Sequence, residues 1–213
     1  MANPTRFEDS WLTIAKRLQA IASTGLHFGE SEFDRERYQE VHDIASQMLA
    51  DLGQVPIETI QRLIPNPGNG YETPKVDVRG AVFREDKILL VKEKLDGLWT
   101  LPGGYADVSL SAGDNVVKEI SEEACIDVKP DQLYAVIHKA KHEYDQDIRD
   151  FYKFYFVCQQ VDDAEPESGA ETSDVGFFAL DALPPLSTGR VIEKHIRLAE
   201  TYRQNPGQLP YFD

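Results

Sequence analysis

Residues 102–126 read PGGYADVSLSAGDNVVKEISEEACI, a glycine pair followed after a short loop by a stretch that carries Glu119, Glu122 and Glu123. Over about 112 to 124 the apolar positions Val117, Ile120 and Ala124 recur at helical spacing, and Ser111 with Asp114 is spaced as a capping box. At about 100° per residue, Glu122 lies about 60° to one side of Glu119 and Glu123 about 40° to the other. One side of this helix packs while the other presents three carboxylates. On an isolated helix the Glu119/Glu123 pair costs roughly a few tenths of a kcal/mol. A hard divalent cation reverses that sign, because Mg²⁺ or Mn²⁺ takes oxygen ligands and keeps waters to share with phosphates. A solvated acidic face accounts for three glutamates taken alone. The context favours the metal: strand LWTLP runs directly into Gly103-Gly104, glycines permit close backbone approach, and a carbonyl freed at Gly103 is a further oxygen ligand.

Outward from this stretch, the chain changes character once. Trp11, Ile14, Ala15, Leu18, Ile21 and Ala22 follow helical spacing, with an end expected near Gly25 and Trp11 and Met48 expected in a packed stripe. Tyr38, Val41, Ala45, Met48 and Leu52 repeat the pattern, closing at a left-handed Gly53. The two helices read as an antiparallel hairpin, and PIETIQRLI adds a short third. Residues 1–66 are therefore expected to form a small helical domain, 67–74 a linker rich in glycine and proline, and 75–213 a mixed α/β domain. In the latter, VDVRGAVF, KILLVKE, LWTLP, YAVIHKA, FYKFYFVCQ and GFFAL are strand candidates, and VIEKHIRLAETY is helical. The acidic DDAEPESGAE reads as a loop.

Charge narrows the function. Among 213 residues, 22 Lys and Arg against 37 Asp and Glu give −15, a field that repels polyphosphate backbones and argues against a nucleic-acid polymer as partner. No apolar run approaches the ~20 residues that cross a bilayer, and MANPTRFEDSW lacks a signal pattern, so a cytoplasmic protein with no membrane partner is expected. Cys125 and Cys158 stand far apart, and both are expected to be small buried residues rather than a disulfide or a zinc pair.

The spacing from Gly104 through Leu110 to KEISEEACI resembles the Nudix box, in which a glycine, five residues, Glu and seven residues precede Arg-Glu-apolar-any-Glu-Glu-any-Gly-apolar. The hairpin, LPGGYADV, VVKE and GFFALDALPPLSTGR resemble a subgroup that includes CDP-choline pyrophosphatase and ADP-ribose pyrophosphatase-like proteins. The resemblance implies an α+β fold, a Nudix α/β/α sandwich with a mixed sheet, preceded by the small helical domain. It implies a Mg²⁺ (or Mn²⁺)-dependent pyrophosphatase that splits a nucleoside diphosphate linked to another group X, such as CDP-choline or ADP-ribose, into a nucleoside monophosphate and phospho-X. The metal ligands carried over are Glu119, Glu122 and Glu123, with Glu122 central to catalysis. Three positions depart from the pattern: Leu110 stands for Glu, Lys118 for Arg and Cys125 for Gly. Lys118 keeps the charge but not the guanidinium fork. Asp107 or Asp114 is a candidate to restore the missing negative charge.

Further roles follow from the resemblance. Glu171, just before a strand, is the candidate general base or extra ligand. Arg79, Gly104, Tyr105 and Lys139 are candidates to hold substrate, Tyr105 by stacking on the base. If the hairpin cannot bury its apolar face alone, it must lean on the following domain or on a second subunit, and a homodimer is expected. Another nucleotide substrate, or a nucleotide-sensing module without turnover, remains open.

Overall fold

The computed structural model describes residues 9–64 and 67–213, so the stretch before Asp9 and the boundary expected after residue 66 fall wholly or partly outside the described residues. The chain divides into two units, one made of the residues before Lys75 with Gln146–Asp150, the other of Lys75–Asp145 with Phe151–Asp213.

The first unit contains α1 (Ser10–Phe28), α2 (Glu32–Gly53) and α3 (Ile57–Leu63). Asp9 starts α1 by accepting hydrogen bonds from the Trp11 and Leu12 N–H groups. Gly25 does not end α1, which runs on to Phe28 with Gly29 as its cap. Its lack of a side chain serves packing instead, since a Cβ there would lie 2.4 Å from the Tyr38 ring on α2. The left-handed residue closing α2 is Gln54 (φ 51°), one position after Gly53. The packed stripe is also rotated from the expected one. Leu12 and Ala15 meet Leu49, Ala50 and Ile60, with Met48 at the edge, whereas Trp11 is 60 % exposed.

The second unit is built on a mixed sheet of β1 (Lys75–Arg84), β2 (Lys87–Glu93), β3 (Trp99–Thr100), β4 (Val128–His138), β5 (Phe151–Gln160), β6 (Thr172–Ala179) and β7 (Tyr211–Phe212). The order is β3-β2-β1-β5-β4-β7, with β6 pairing β2. The β1–β5 and β4–β7 pairs are parallel and the others antiparallel. Alternation along β1 sends Val78 and Val82 to one face and Ala81 to the other. On the first face lies α4 (Ala112–Ala124), through Val116, Ile120 and Ala124; on the second lies α5 (Glu193–Gln204), through Ile196 and Ala199. This is the α+β sandwich that the resemblance implies. Gly80 lets α4 sit close, because a Cβ there would come 2.5 Å from Ile120 Cδ1. LWTLP forms only a two-residue strand, β4 starts six residues before YAVIHKA, and β7 has no counterpart among the expected strands. None of the described helices is long and apolar enough to cross a membrane.

The capping box of α4 is complete: Ser111 Oγ accepts from the Asp114 N–H, and Asp114 accepts from the Ser111 N–H. At its other end stands Cys125, exposed rather than buried, in the left-handed conformation (φ 54°). A side chain there costs about 1 kcal/mol relative to glycine. Cys125→Gly is therefore expected to raise stability by about 1 kcal/mol, seen as a rise in Tm of about 2–4 °C; a fall in Tm would contradict this account of the helix exit.

Candidate active site

The glycine pair and α4 form one piece of geometry. Gly103 has φ 140°, and a Cβ on it would lie 2.1 Å from the Val78 carbonyl oxygen, so the turn fits against β1 only without a side chain. Its neighbours are tied to β1: the Pro102 and Gly104 carbonyls accept from the Gly80 and Val78 N–H groups, each at 2.9 Å. The Gly103 N–H points the other way and donates to Glu123 Oε2 at 2.8 Å. Its own carbonyl takes no hydrogen bond among the described residues. Gly104 makes room for Glu119, whose Oε2 would lie 2.8 Å from a Cβ at that position.

Electrostatics in this corner run against the protein. Burial, opposed by Arg79 and the Gly103 N–H, pushes the Glu123 carboxyl up to about 7, with Glu93 and Glu119 adding in the same direction. Burial also raises Glu119, helped by Glu122 and Glu171 and opposed by Lys118 and Arg79. Glu93 and Glu119 thus act on Glu123, and Glu122 and Glu171 on Glu119. They are not gathered into a ready cage. Glu122 reaches Lys118 Nζ at 2.7 Å, and among the described residues no group of three or more His, Cys, Asp or Glu side chains is close enough to hold a metal ion. The donors nevertheless suit a hard cation: anionic oxygens short of counter-charge beside a carbonyl with a spare lone pair.

The box departures have local answers. Lys118 lies 3.3 Å from Asp107 Oδ2 as well as beside Glu122, so Asp107 supplies the negative partner that Leu110 does not. Leu110 is exposed, and Asp114 is spent on the helix cap.

Arg79 is 4 % exposed and faces inward. Its guanidinium makes two hydrogen bonds to the Asp77 carboxylate, at 3.0 and 2.9 Å, and one to the Leu101 carbonyl at 3.1 Å. Lys153, also buried, binds the same carboxylate. Burial pushes Asp77 up, but Arg79 and Lys153 more than reverse it and leave it below its ordinary value. Burial also brings Lys153 down to about 8. Tyr105 bridges to Asp77 along the backbone; its half-exposed ring stacks on Phe151 at 5.8 Å, and the Lys139 ammonium lies 5.1 Å from the centre of the Phe151 ring. Lys141 and His142 turn to Asp213.

Glu171 is exposed at the start of β6, its carbonyl accepting from the Lys94 N–H. Two residues that the sequence did not single out belong here. Glu93, buried at the end of β2, acts on Glu123, and Arg190 holds it at 3.1 Å. Nothing in KILLVKE distinguishes Glu93 from a strand-end carboxylate; its place in the assembled sheet brings it beside α4.

Two family descriptions match this chain: "UDP-X-like, N-terminal oligomerisation domain" over residues 9–64 and "NUDIX domain" over residues 73–199. A Bacillus subtilis (strain 168) protein named "Putative ADP-ribose pyrophosphatase YjhB" is 42 % identical over 98 % of this chain and 99 % of its own length. The crystal structure of an ADP-ribose pyrophosphatase from Streptococcus suis 89-1591 is 41 % identical over 66 % of this chain and 100 % of that one, with TM-score 0.61. That of a UDP-X diphosphatase is 32 % identical over 95 % and 98 %, with TM-score 0.62.

Removing the charge that Arg79 and Lys153 share leaves two buried cations without a counter-ion. Asp77→Asn is expected to cost about 3–5 kcal/mol in denaturant unfolding; a loss below about 1 kcal/mol would show that water reaches the pair.

Proposed function

Because this chain belongs to the Nudix family of hydrolases, which cleave nucleoside diphosphates linked to another moiety, we propose that Glu119, Glu122, Glu123 and the Gly103 carbonyl hold Mg²⁺ or Mn²⁺ for that reaction. The observation that carries the reading is the Glu123–Gly103 contact, which puts a desolvated carboxylate and an unbonded carbonyl at the same turn. When bound, the cation supplies positive charge against the pyrophosphate and acidifies a coordinated water. Glu122 leaves Lys118 to join the site, and Asp107 keeps the ammonium. Glu171 accepts a proton from the attacking water as the new O–P bond forms and the anhydride bond breaks, giving a nucleoside monophosphate and phospho-X.

Arg79 contributes by charge and by its hold on Leu101, not by reaching solvent. Gly104 leaves the backbone open to the diphosphate, and Tyr105, backed by Phe151 and Lys139, offers a ring to the base. The similar proteins bearing the names ADP-ribose pyrophosphatase and UDP-X diphosphatase support an ADP- or UDP-linked substrate ahead of CDP-choline. The helical hairpin supports a homodimer. Trp11, Ile14, Ile21 and Phe28 lie along one side of α1 and are each more than 40 % exposed, and the matching domain description is one of oligomerisation.

Incubation with Mg²⁺ and ADP-ribose, UDP-linked sugars or CDP-choline, with products separated by ion-exchange chromatography, tests the reaction. Glu122→Gln is expected to lower kcat by about 100-fold or more with an unchanged circular dichroism spectrum. Normal turnover by that variant would remove the metal assignment. Ile14→Glu is expected to give a monomer by light scattering, and a dimer that persists would place the interface elsewhere.

A further inference from the structure

The acidic loop ahead of β6 is fastened to the C-terminal end of α4, where a helix leaves carbonyls without partners. The Glu167 N–H donates to the Ala124 carbonyl at 3.0 Å, and the Gly169 N–H points at the Glu123 carbonyl at 3.2 Å. Thr172, 1 % exposed, completes the junction. Its hydroxyl donates to the Glu123 carbonyl and accepts from the Gly169 N–H, both at 2.8 Å. The approach is so close that a Cβ on Gly169 would lie 1.7 Å from the Glu122 carbonyl oxygen, a backbone atom that cannot yield. On the far side Lys94 holds the same segment, its N–H donating to the Glu171 carbonyl and its ammonium to the Ala170 carbonyl at 2.6 Å.

We propose that Gly169 and Thr172 are positioning residues, a clasp between the acidic loop and the carboxylate helix that sets where Glu171 stands relative to Glu119, Glu122 and Glu123. This rests on the reading of Glu171 as proton acceptor. Glu171 lies between Gly169 and Thr172 in register with Lys94, and its charge is felt at Glu119. The clasp hydrogen-bonds the Glu123 carbonyl and packs against the Glu122 carbonyl, so it ties the loop to the backbone that carries both glutamates. A hydroxyl is required because a single atom must both donate and accept; serine meets that need and valine, of similar shape, does not.

The experiment compares Thr172→Val, Thr172→Ser, Gly169→Ala and Glu171→Gln in the full chain, reading kcat, KM and Mn²⁺ affinity by calorimetry. Thr172→Val and Gly169→Ala are expected to lower kcat by about 100-fold, the cost of a misplacement near 1 Å, with KM and Mn²⁺ affinity within about threefold of the native values. Thr172→Ser recovers most of that loss. Glu171→Gln separates the two ideas. If it lowers kcat while Thr172→Val does not, the clasp is wrong and the proton acceptor stands. If Glu171→Gln leaves kcat as it was, the proton acceptor is wrong and the clasp, having nothing to position, falls with it. A parallel loss of Mn²⁺ affinity in Thr172→Val would mark a general weakening of α4 and overturn the proposal.

Discussion

The contact on which the site depends is the hydrogen bond from the Gly103 N–H to Glu123. It joins a turn pressed against β1 to the last turn of α4, and it exists because no side chain stands at Gly103 or Gly104. A Cβ at the first would collide with β1, and one at the second would displace Glu119. Gly103 also takes a positive φ of 140° that a side chain would strain, whereas Gly104 is needed for space alone. Together they bring backbone to within reach of carboxylates that the helix alone would turn toward solvent.

Bringing carboxylates into a half-buried corner raises the question of what tolerates their charge. Arg79 supplies part of the answer from beneath the turn, but much of its field is already taken by Asp77. Arg190 holds Glu93, and Lys118 is divided between Asp107 and Glu122. Arg79, Arg190 and Lys118 are thus each already engaged by a carboxylate, and burial still dominates at Glu119 and Glu123. The remaining deficit of positive charge is what a divalent ion, arriving with or before an anionic substrate, is suited to fill.

Sequence reasoning found what depends on local pattern. The capping box and KILLVKE come out at the residues expected, because period and cap chemistry act within a few residues; on α4 Ile120 and Ala124 pack as expected, but Val116 is the fully buried valine and Val117 stands at the edge. It missed where tertiary contact chose among equivalent options. Gly25 looked like a helix end and is a seat for Tyr38; Trp11 looked like core and lies on the exposed side of α1. The same limit applies at the site. Arg79 on a strand looks identical in sequence whether it faces phosphate or Asp77, and Thr172 is one threonine among many until β6 pairs with β2 and sets its hydroxyl against α4.

The departures from the Nudix box follow one physical logic. An arginine fork paired with a box glutamate would brace the helix from its exposed side; here a lysine and Asp107 give a looser brace, through single contacts on exposed side chains. A glycine at position 125 would close the helix without strain, whereas Cys125 closes it with φ 54°. Both changes weaken the hold on α4 from its own sequence. The carbonyls at its end are instead taken up by Glu167, Gly169 and Thr172. The acidic loop therefore supplies hydrogen bonds to the end of the carboxylate helix from outside the helix's own sequence.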